Sequence, residues 1–572
     1  MDWKKIAAYL EVARGDRPAD LVLSGGRVAN LYTKEWLAQD VAIVDGVIAG
    51  LGDYPGPRLD LNGAYLLPGF IDGHLHLESS LLTPGELARA LLVRGATTVV
   101  ADPHEICSVW GVQGLEYMFA ATTGLPVDFF FLLPSCVPAS PLGTAGATLT
   151  AADLAPYRDH PRVLGLAEVM NFPGVVAGQA DLLEKIGMFR RRVVDGHAPL
   201  LSGKGLNAYR LTGIGSDHEC TQALEALEKL RLGFYLMVRE GSLAKNLAEL
   251  LPAVPPAGLR RTLLVSDDCQ PQDLLQRGHL DHLLRQAVGL GLDPLEAVGL
   301  VTLNPAEYFR LRDRGALAPG MLADLVAVHD LREMVVDRVW KRGRLMVQEG
   351  RLLDDLHAPS PPLPVTSWEI RDLTPEDLSP PAESEVVKVI GLVPGQLLTE
   401  KLLLPTPVRH GRLAAAPERD LLKAMVLERH RGTGNLGLGL VRGFGLQKGA
   451  IASTVAHDCH NLVVVGASEA DMLTAASHLA NLGGGLAVVA EGEVLADLPL
   501  PIAGLLSPAP LAEVADACHN LNAAYQSLGG ALTEPFMALS FLPLEVIPAL
   551  KLTDLGLVDV ERFQSVSLFG PF

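Results

Sequence analysis

The stretch "GFIDGHLHLESS" (residues 69–80) ends an apolar run in two histidines that are one residue apart. Side chains of a β-strand alternate between its two faces, so His74 and His76 would point to the same side. An isolated pair of this kind has two interpretations. The histidines are either metal ligands or two polar residues at the end of a strand, and the choice depends on the rest of the chain.

Seven further apolar runs follow this one, each succeeded by a helix-like segment. The eight runs span residues 68–76, 96–102, 127–134, 163–169, 193–199, 212–218, 232–238 and 261–267. Strands that alternate with helices indicate an α/β fold with a parallel sheet, and eight of them over about 250 residues predict a TIM-like (β/α)8 barrel. A doubly wound open sheet is the alternative. In either fold, catalytic groups gather beyond the carboxyl ends of the strands.

Short strands closed by glycine flank the predicted barrel on both sides. We therefore predict a barrel, residues 67–314, inserted in a small β-sandwich whose halves lie in residues 1–66 and 315–352. A proline-rich linker, residues 353–367, leads to a C-terminal α+β domain, residues 368–572. Its glycine-rich stretches at 436–445 and 483–485 match no nucleotide-binding loop and are interpreted as turns.

Composition favours a globular protein of a reducing compartment. Hydrophobic residues make up 49% and charged residues 20% of the 572 residues, and the net charge is −19. The charge argues against a nucleic-acid partner, and the apolar runs are broken before the roughly 20 residues of a membrane span. The charged N-terminus does not fit a signal peptide, and the six scattered cysteines do not form a disulfide framework. We expect a cytoplasmic protein that acts on a small molecule.

The ends of the predicted strands carry a set of metal-binding residue types: His74, His76, Glu168, His197, His218 and Asp267, with Asp268 beside the last. Taken singly, each has a structural explanation, such as a core hydrogen bond, an ion pair or a helix cap. Together, imidazoles and carboxylates at one rim suit two divalent ions such as Zn, Fe(II) or Mn. The set contains no cysteine, which leaves coordination positions for water.

Several motifs resemble known families. The stretches "FIDGHLHLESS", "AEVMNFPGV", "DGHAP", "GSDHE" and "VSDD" resemble the amidohydrolase superfamily. The stretches "VADPHEI", "LPSCVPA", "SGKGLNAY", "VAHDCHN", "PIAGLLS" and "FMALSFLPLEVIPALKLTDLGLVDV" extend the resemblance to the adenine deaminase family over the whole chain. The last three lie in the C-terminal region, which most amidohydrolases lack. After the aspartate pair, however, this chain has Cys269-Gln270, where many adenine deaminases have Arg-His.

The resemblance implies a binuclear hydrolase with manganese or iron(II) as the metal, and zinc is the alternative. The two ions would be held by His74, His76, Glu168, His197, His218 and Asp267, with Glu168 between them. The implied reaction is hydrolytic deamination of adenine to hypoxanthine and ammonia by a metal-activated hydroxide that attacks C6. Asp267 would shuttle the proton, and Asp268 is the alternative.

Five further residues are predicted to contact the substrate or the metal ligands: His104, Glu105, Glu219, Arg239 and His460. The structural alternatives are a helix N-terminus at His104-Glu105, an ion pair between Arg239 and Glu240, and a buried polar network of the "VAHDCHN" segment within the C-terminal domain. If "VAHDCHN" (455–461) is a strand, Asp458 and His460 lie on one side of it.

The sequence is also compatible with two other functions. One is a different amidohydrolase reaction on a cyclic amide or an N-acyl substrate, and the other is a non-catalytic scaffold with the same shell. The expected partner is a purine, in salvage or breakdown, with no nucleic acid or membrane. We also expect a homo-oligomer, for which a dimer is the simplest form.

Overall fold

The structure, a computed structural model, describes residues 3–364, 368 and 370–572. It begins with one helix and seven short strands: α1 (Trp3–Ala13), β1 (Leu21–Ser24), β2 (Arg27–Asn30), β3 (Glu35–Leu37), β4 (Val41–Val44), β5 (Val47–Leu51), β6 (Arg58–Asp60) and β7 (Tyr65–Pro68). The hairpin between β4 and β5 turns on Asp45-Gly46, whose φ angles are 47° and 75°. Two positive φ angles in an Asp-Gly pair are typical of a tight β-hairpin.

Eight parallel strands follow, one in each of the predicted runs: β8 (Phe70–Leu75), β9 (Ala96–Ala101), β10 (Asp128–Leu133), β11 (Val163–Val169), β12 (Val193–Gly196), β13 (Ser216–Asp217), β14 (Tyr235–Arg239) and β15 (Thr262–Val265). Strands β8 to β12 form one sheet and β13 to β15 another. The sheets meet where Gly215 N donates to Val194 O (2.9 Å) and where Leu75 pairs in parallel with Asp267. The predicted TIM-like barrel is confirmed.

Thirteen helices accompany these strands: α2 (Pro84–Leu92), α3 (His104–Trp110), α4 (Val112–Ala121), α5 (Ala151–Leu154), α6 (Phe172–Val176), α7 (Ala180–Met188), α8 (Gly203–Leu211), α9 (Ala223–Arg231), α10 (Leu247–Leu250), α11 (Pro271–Gln276), α12 (Leu280–Gly289), α13 (Pro294–Leu300) and α14 (Leu303–Tyr308). Short 3-10 turns lie at Glu78–Ser80, Ala155–Tyr157, Leu251–Ala253 and Pro256–Arg261. The strands bury apolar side chains in one cluster that includes Ile71, Val100, Leu132, Ala167 and Leu263. Because packed apolar side chains fill the barrel interior, the polar groups lie at the strand ends.

The chain then returns to the first sheets with β16 (Leu325–Val328), β17 (Val336–Lys341), β18 (Arg344–Gln348) and β19 (Arg351–Leu352). Strand β16 runs antiparallel to β7 in a seven-stranded sheet of order β19-β18-β17-β16-β7-β2-β3. The other sheet has the order β5-β4-β1-β6, and buried Trp340 packs with Val28 and Ile43 in the shared core. Segments from both sides of the barrel thus build one small β unit, as predicted.

The C-terminal domain is α+β, with the elements β20 (Val386–Leu392), β21 (Thr399–Pro405), β22 (Val408–Arg409), β23 (Arg412–Leu413), β24 (Leu422–Leu427), β25 (Leu436–Arg442), β26 (Ala450–Ser453), β27 (Leu462–Gly466), α15 (Glu469–Leu482), β28 (Gly485–Ala490), β29 (Glu493–Pro499), α16 (Leu511–Ser527), α17 (Pro535–Ser540), β30 (Leu550–Thr553), β31 (Gly556–Asp559) and β32 (Gln564–Val566), and a 3-10 turn at Pro417–Arg419. Its main sheet has the order β21-β20-β25-β24-β27-β26-β28-β29. Ser507 N donates to Leu81 O (2.7 Å) and Thr144 N donates to Asp554 Oδ1 (2.8 Å), so the domain packs on the barrel beside the strand ends.

The turn predicted for the first glycine-rich stretch is wrong, because Leu436–Arg442 forms strand β25. A Cβ atom at Gly437 would lie 1.8 Å from Thr553 O, so glycine is present here to admit a neighbouring chain segment. The second stretch is a turn: Gly483, with φ 76°, ends α15 in the left-handed conformation.

The last three residues of the predicted linker, 365–367, lie outside the described residues, and the domain boundaries stay predictions. Within the described part of the chain, all six cysteines are buried and unpaired. None of the described helices is both long and apolar enough to cross a membrane.

Candidate metal centre

Six predicted side chains meet at the carboxyl ends of the barrel strands. His74 and Glu168 lie near the ends of β8 and β11, and His76, His197, His218 and Asp267 follow within two residues of the ends of β8, β12, β13 and β15. All six residues are at most 6% exposed. The parallel direction of the strands brings their carboxyl ends to one rim, which is why residues almost 200 positions apart converge (Asp267 lies 3.4 Å from His74).

Glu168 lies at the centre of the group. One carboxylate oxygen, Oε1, is 3.2 Å from His76 Nε2. The other, Oε2, is 2.6 Å from His197 Nδ1 and 3.2 Å from His218 Nε2. The two oxygens therefore face different histidines, an arrangement that suits a carboxylate shared by two cations.

Asp267 faces the pair of histidines from the opening stretch. Its Oδ1 lies 3.4 Å from His74 Nε2 and 3.2 Å from His76 Nε2. Asp267 has φ 58°, a left-handed conformation that is uncommon outside glycine and is found at functional sites. Its backbone N–H donates to His74 O (3.0 Å), so the bond that joins the first and last strands also positions this carboxylate.

The electrostatics of the centre favour the binding of a cation. Burial opposes the ionisation of Glu168, but the charges of His218 and His197 and their hydrogen bonds hold its pKa well below the usual range. Burial also opposes the charging of His218, yet Glu168 raises its pKa to about 9. Negative carboxylates surrounded by imidazoles in a buried site attract positive charge, which a proton or a metal ion can supply.

Three histidine nitrogen atoms that lack a hydrogen-bond partner among the described residues also indicate a metal site. His74 Nε2, His197 Nε2 and His218 Nδ1 are buried without a hydrogen-bond partner among the described residues. Groups within the set, such as His74, His76 and Asp267 or His74, Glu168 and His218, have ligand atoms within 4.8 Å of one another. Imidazole and carboxylate donors at this spacing fit a divalent cation, so the residues present are suited to form a metal centre.

The additional barrel residues surround this centre. His104 begins helix α3, as its structural alternative predicted, yet its Nδ1 also lies 3.0 Å from Asp102 Oδ2 and 3.9 Å from Glu168 Oε1. The Asp268 carboxylate accepts a hydrogen bond from Ser79 Oγ and lines the same pocket. Burial raises the pKa of Asp268, and the neighbouring charge of Asp267 adds to this effect.

The ion pair suggested between Arg239 and Glu240 is wrong. The Arg239 guanidinium is buried and bonds instead to Glu219, at 2.8 Å between Nη2 and Oε2, and to Asp267 Oδ2 at 2.9 Å. Glu240 accepts a hydrogen bond from Leu247 N (3.1 Å) at the start of α10. The charged chain Glu219–Arg239–Asp267 therefore leads to the metal centre, because β14 delivers Arg239 to the same rim.

The segment 455–461 is not a strand, but it does reach the barrel mouth. Both His457 Nδ1 and His460 Nε2 bond to the carboxylate of Glu105, which comes from the barrel. His457 is a site residue that the sequence reasoning missed, although it belongs to the "VAHDCHN" motif. The third polar residue, Asp458, lies 3.5 Å from His104 Nε2.

The C-terminal domain also supplies the apolar wall of the pocket. Phe541, Leu544, Val546 and Ile547 line the same pocket as the metal-ligand candidates. A second, larger cavity adjoins this pocket and shares the lining residues Arg239 and Ile547 with it. Cys269 and Gln270 are not among the described residues that line the inner pocket, so their departure from the family pattern lies outside it.

Comparisons with known proteins agree with this geometry. A model of the amidohydrolase family matches residues 65–346, and a model of the adenine deaminase C-terminal domain matches residues 396–564. The barrel with its rim of histidines and carboxylates is thus that of an amidohydrolase. A protein named adenine deaminase 2 from Carboxydothermus hydrogenoformans is 48% identical over 98% of this chain and 99% of its own, and an adenine deaminase from Dehalococcoides mccartyi is 47% identical over the same shares. The chain belongs to the adenine deaminase family.

Solved structures with similar folds are more distant. An adenosine deaminase from Xanthomonas campestris with bound zinc is 17% identical, with a TM-score of 0.44 over 59% of this chain and 95% of that one. A β-aspartyl dipeptidase from Fervidobacterium islandicum is also 17% identical, with a TM-score of 0.45 over 58% of this chain and 98% of that one.

Proposed function

We propose that this protein hydrolyses adenine to hypoxanthine and ammonia. The observation that carries the proposal is the full-length likeness to curated adenine deaminases, which includes the C-terminal region that most amidohydrolases lack. The buried rim of four histidines and two carboxylates supports it, because hydrolysis of an aromatic amine needs an activated water.

We infer a site for two divalent ions, manganese or iron(II), with zinc also compatible. The proposed ligands are His74, His76, Glu168, His197, His218 and Asp267, with Glu168 between the two positions. When bound, such ions lower the pKa of water far enough for hydroxide to attack C6 of the purine at neutral pH.

Proton transfer is assigned to the aspartate pair. Asp267 Oδ1 lies within 3.4 Å of both His74 Nε2 and His76 Nε2. We propose Asp267 as the group that takes the proton from the attacking water and returns it toward the ring and the leaving amine. Arg239 bonds to its second oxygen and holds the carboxylate in place. Asp268 is the alternative shuttle, since its raised pKa and its position on the pocket wall also suit proton transfer.

The remaining walls are suited to a flat heteroaromatic ring. Phe541, Val546 and Ile547 add apolar surface to the pocket that the polar rim also lines. Apolar walls with a few placed polar groups are typical of small-molecule sites. The substrate ring would lie between this wall and the carboxylates.

The direct test uses full-length protein expressed with added manganese and incubated with adenine. We expect loss of adenine absorbance and release of ammonia in equal amounts, with hypoxanthine as the product. Glu168→Gln should abolish both, whereas Glu184→Gln, at an exposed position of α7, should leave them unchanged. Manganese-loaded protein that neither consumes adenine nor releases ammonia would refute the proposal.

We further propose that the chain acts in the cytoplasm as a homodimer, in purine salvage or breakdown. The unpaired buried cysteines among the described residues support a reducing compartment. Light scattering coupled to size exclusion would measure the oligomeric state, and a monomeric mass would reject the dimer.

A further inference from the structure

Asp458, in the loop between β26 and β27 of the C-terminal domain, reaches the pocket of the barrel. Its side chain is 5% exposed, and its Oδ1 lies 3.5 Å from His104 Nε2. The other oxygen, Oδ2, is buried and has no hydrogen-bond partner among the described residues. A buried carboxylate oxygen without a donor is costly, so Oδ2 is suited to accept an N–H from a bound molecule.

The loop that carries Asp458 is held in place on both sides. Thr454 Oγ1 donates to Gly504 O (2.7 Å), and His457 N donates to Ser540 O (2.9 Å). From the far end of the loop, Asn461 Nδ2 donates to Thr144 O of the barrel (2.7 Å). These contacts fix the carboxylate before any ligand binds, which reduces the entropic cost of recognition.

Asp458 and His104 place a carboxylate and an imidazole nitrogen side by side on the pocket wall. A free purine base has a complementary edge, since its ring N9–H donor is next to the N3 acceptor. A carboxylate can only accept hydrogen bonds, so it distinguishes a ring N–H from a substituted ring nitrogen. A purine substituted at N9 lacks this donor and would leave the carboxylate unpaired.

We propose that Asp458 is a specificity-determining residue that accepts the imidazole-ring N–H of a free purine base, so that the C-terminal domain selects the base over the nucleoside. This inference depends on the proposed function, because it assumes a purine in the pocket.

The test compares manganese-loaded wild type with Asp458→Asn, which keeps the shape and removes the charge. We expect KM for adenine to rise roughly 10- to 100-fold, the effect of losing one hydrogen bond to a charged group, with kcat changed less. Wild type should be inhibited more strongly by purine than by 9-methylpurine, and the variant should lose most of this preference. Asp458→Glu should restore part of it.

The control is Asp497→Asn, on the outer strand β29, where the aspartate pairs with His478 away from the pocket. It should leave KM and both inhibition constants unchanged. An active wild type with an Asp458→Asn variant within twofold in KM overturns this inference alone. A wild type that neither turns over adenine nor binds purine overturns the proposed function as well.

Two further results would decide against a recognition role. Loss of about one manganese ion per chain in Asp458→Asn would make the carboxylate a metal ligand. If the variant does not fold, the wild-type comparison is decisive, because equal inhibition by purine and 9-methylpurine would contradict the proposal.

Discussion

The contact between Glu105 and His457 predicts that the attachment of the C-terminal domain weakens as pH rises. Burial by itself opposes the charging of His457, but the charge of Glu105 and its hydrogen bond raise the pKa of this histidine to about 9 from 6.5. The difference, at about 1.4 kcal/mol for each pH unit, corresponds to about 3 kcal/mol of folded-state stability. Because the folded pKa is the higher one, this stability is fully present below pH 6.5 and is lost as pH rises through about 9.

The perturbation is His457→Gln, which removes the titrating group, and the assay is thermal unfolding of the manganese-loaded protein between pH 6 and pH 10. At pH 6, the unfolding temperature of the wild type should be higher than that of the variant by roughly 6–12 °C, if the C-terminal domain unfolds as a unit of ordinary size. The two temperatures should converge above pH 9. Titrating groups that do not interact with His457 are common to both proteins, so the difference between them reports on His457 and the Glu105 carboxylate with which it pairs.

A difference that stays constant from pH 6 to pH 10, or one that grows with pH, would refute this reasoning. The matched control is His329→Gln, whose side chain is 55% exposed and faces Asp337 at 3.4 Å. An exposed pair contributes little, so this variant should follow the wild type at every pH.

Three further predictions concern the metal centre, the pocket wall and the fold. Glu168→Gln should lower the manganese content below one ion per chain by elemental analysis and reduce kcat/KM for adenine by at least about 1000-fold, since the carboxylate contacts three histidines. Lys551→Met should lower stability by about 1–3 kcal/mol and raise KM, because the buried Lys551 Nζ donates to Phe541 O (2.9 Å) behind the pocket wall. Gly437→Ala should yield little soluble protein, because its Cβ would collide with Thr553 O.

Each of these variants has a matched control variant that should behave as wild type. Glu184→Gln is exposed, Lys448→Met removes an exposed pair with Glu491, and Gly187→Ala adds a Cβ with no described heavy atom within 4 Å outside its own helix. Normal metal content in Glu168→Gln, unchanged KM in Lys551→Met, or normal yield of Gly437→Ala would each contradict the corresponding interpretation.

Local patterns were sufficient to predict most of the barrel and its rim. Apolar runs bounded by glycine and charged residues predicted all eight parallel strands, because burial on both faces imposes a continuous apolar run. The ends of these runs carried His74, Glu168 and His218, and the common direction of the strands placed them together. The metal identity and the number of ions stay predictions.

Other features depended on contacts that no local pattern describes. The pair Arg239–Glu240 was adjacent in sequence, yet β14 directs Arg239 to the pocket, where Glu219 and Asp267 compete for it. Likewise, Gly437 was interpreted as part of a turn because glycine favours turns. Glycine is required at this position because Thr553, a residue of a different strand, approaches it closely.

The sequence by itself determined the kinds of chemical group at the rim, because strand alternation and strand direction are local properties of the chain. Only the tertiary structure decided that His457 and Asp458 complete the pocket. Glu105 and His457 are 352 residues apart, and their contact depends on how the surfaces of two domains fit together. That fit is the sum of many distant packing contacts, so the side chains that close the site become visible only in the folded molecule.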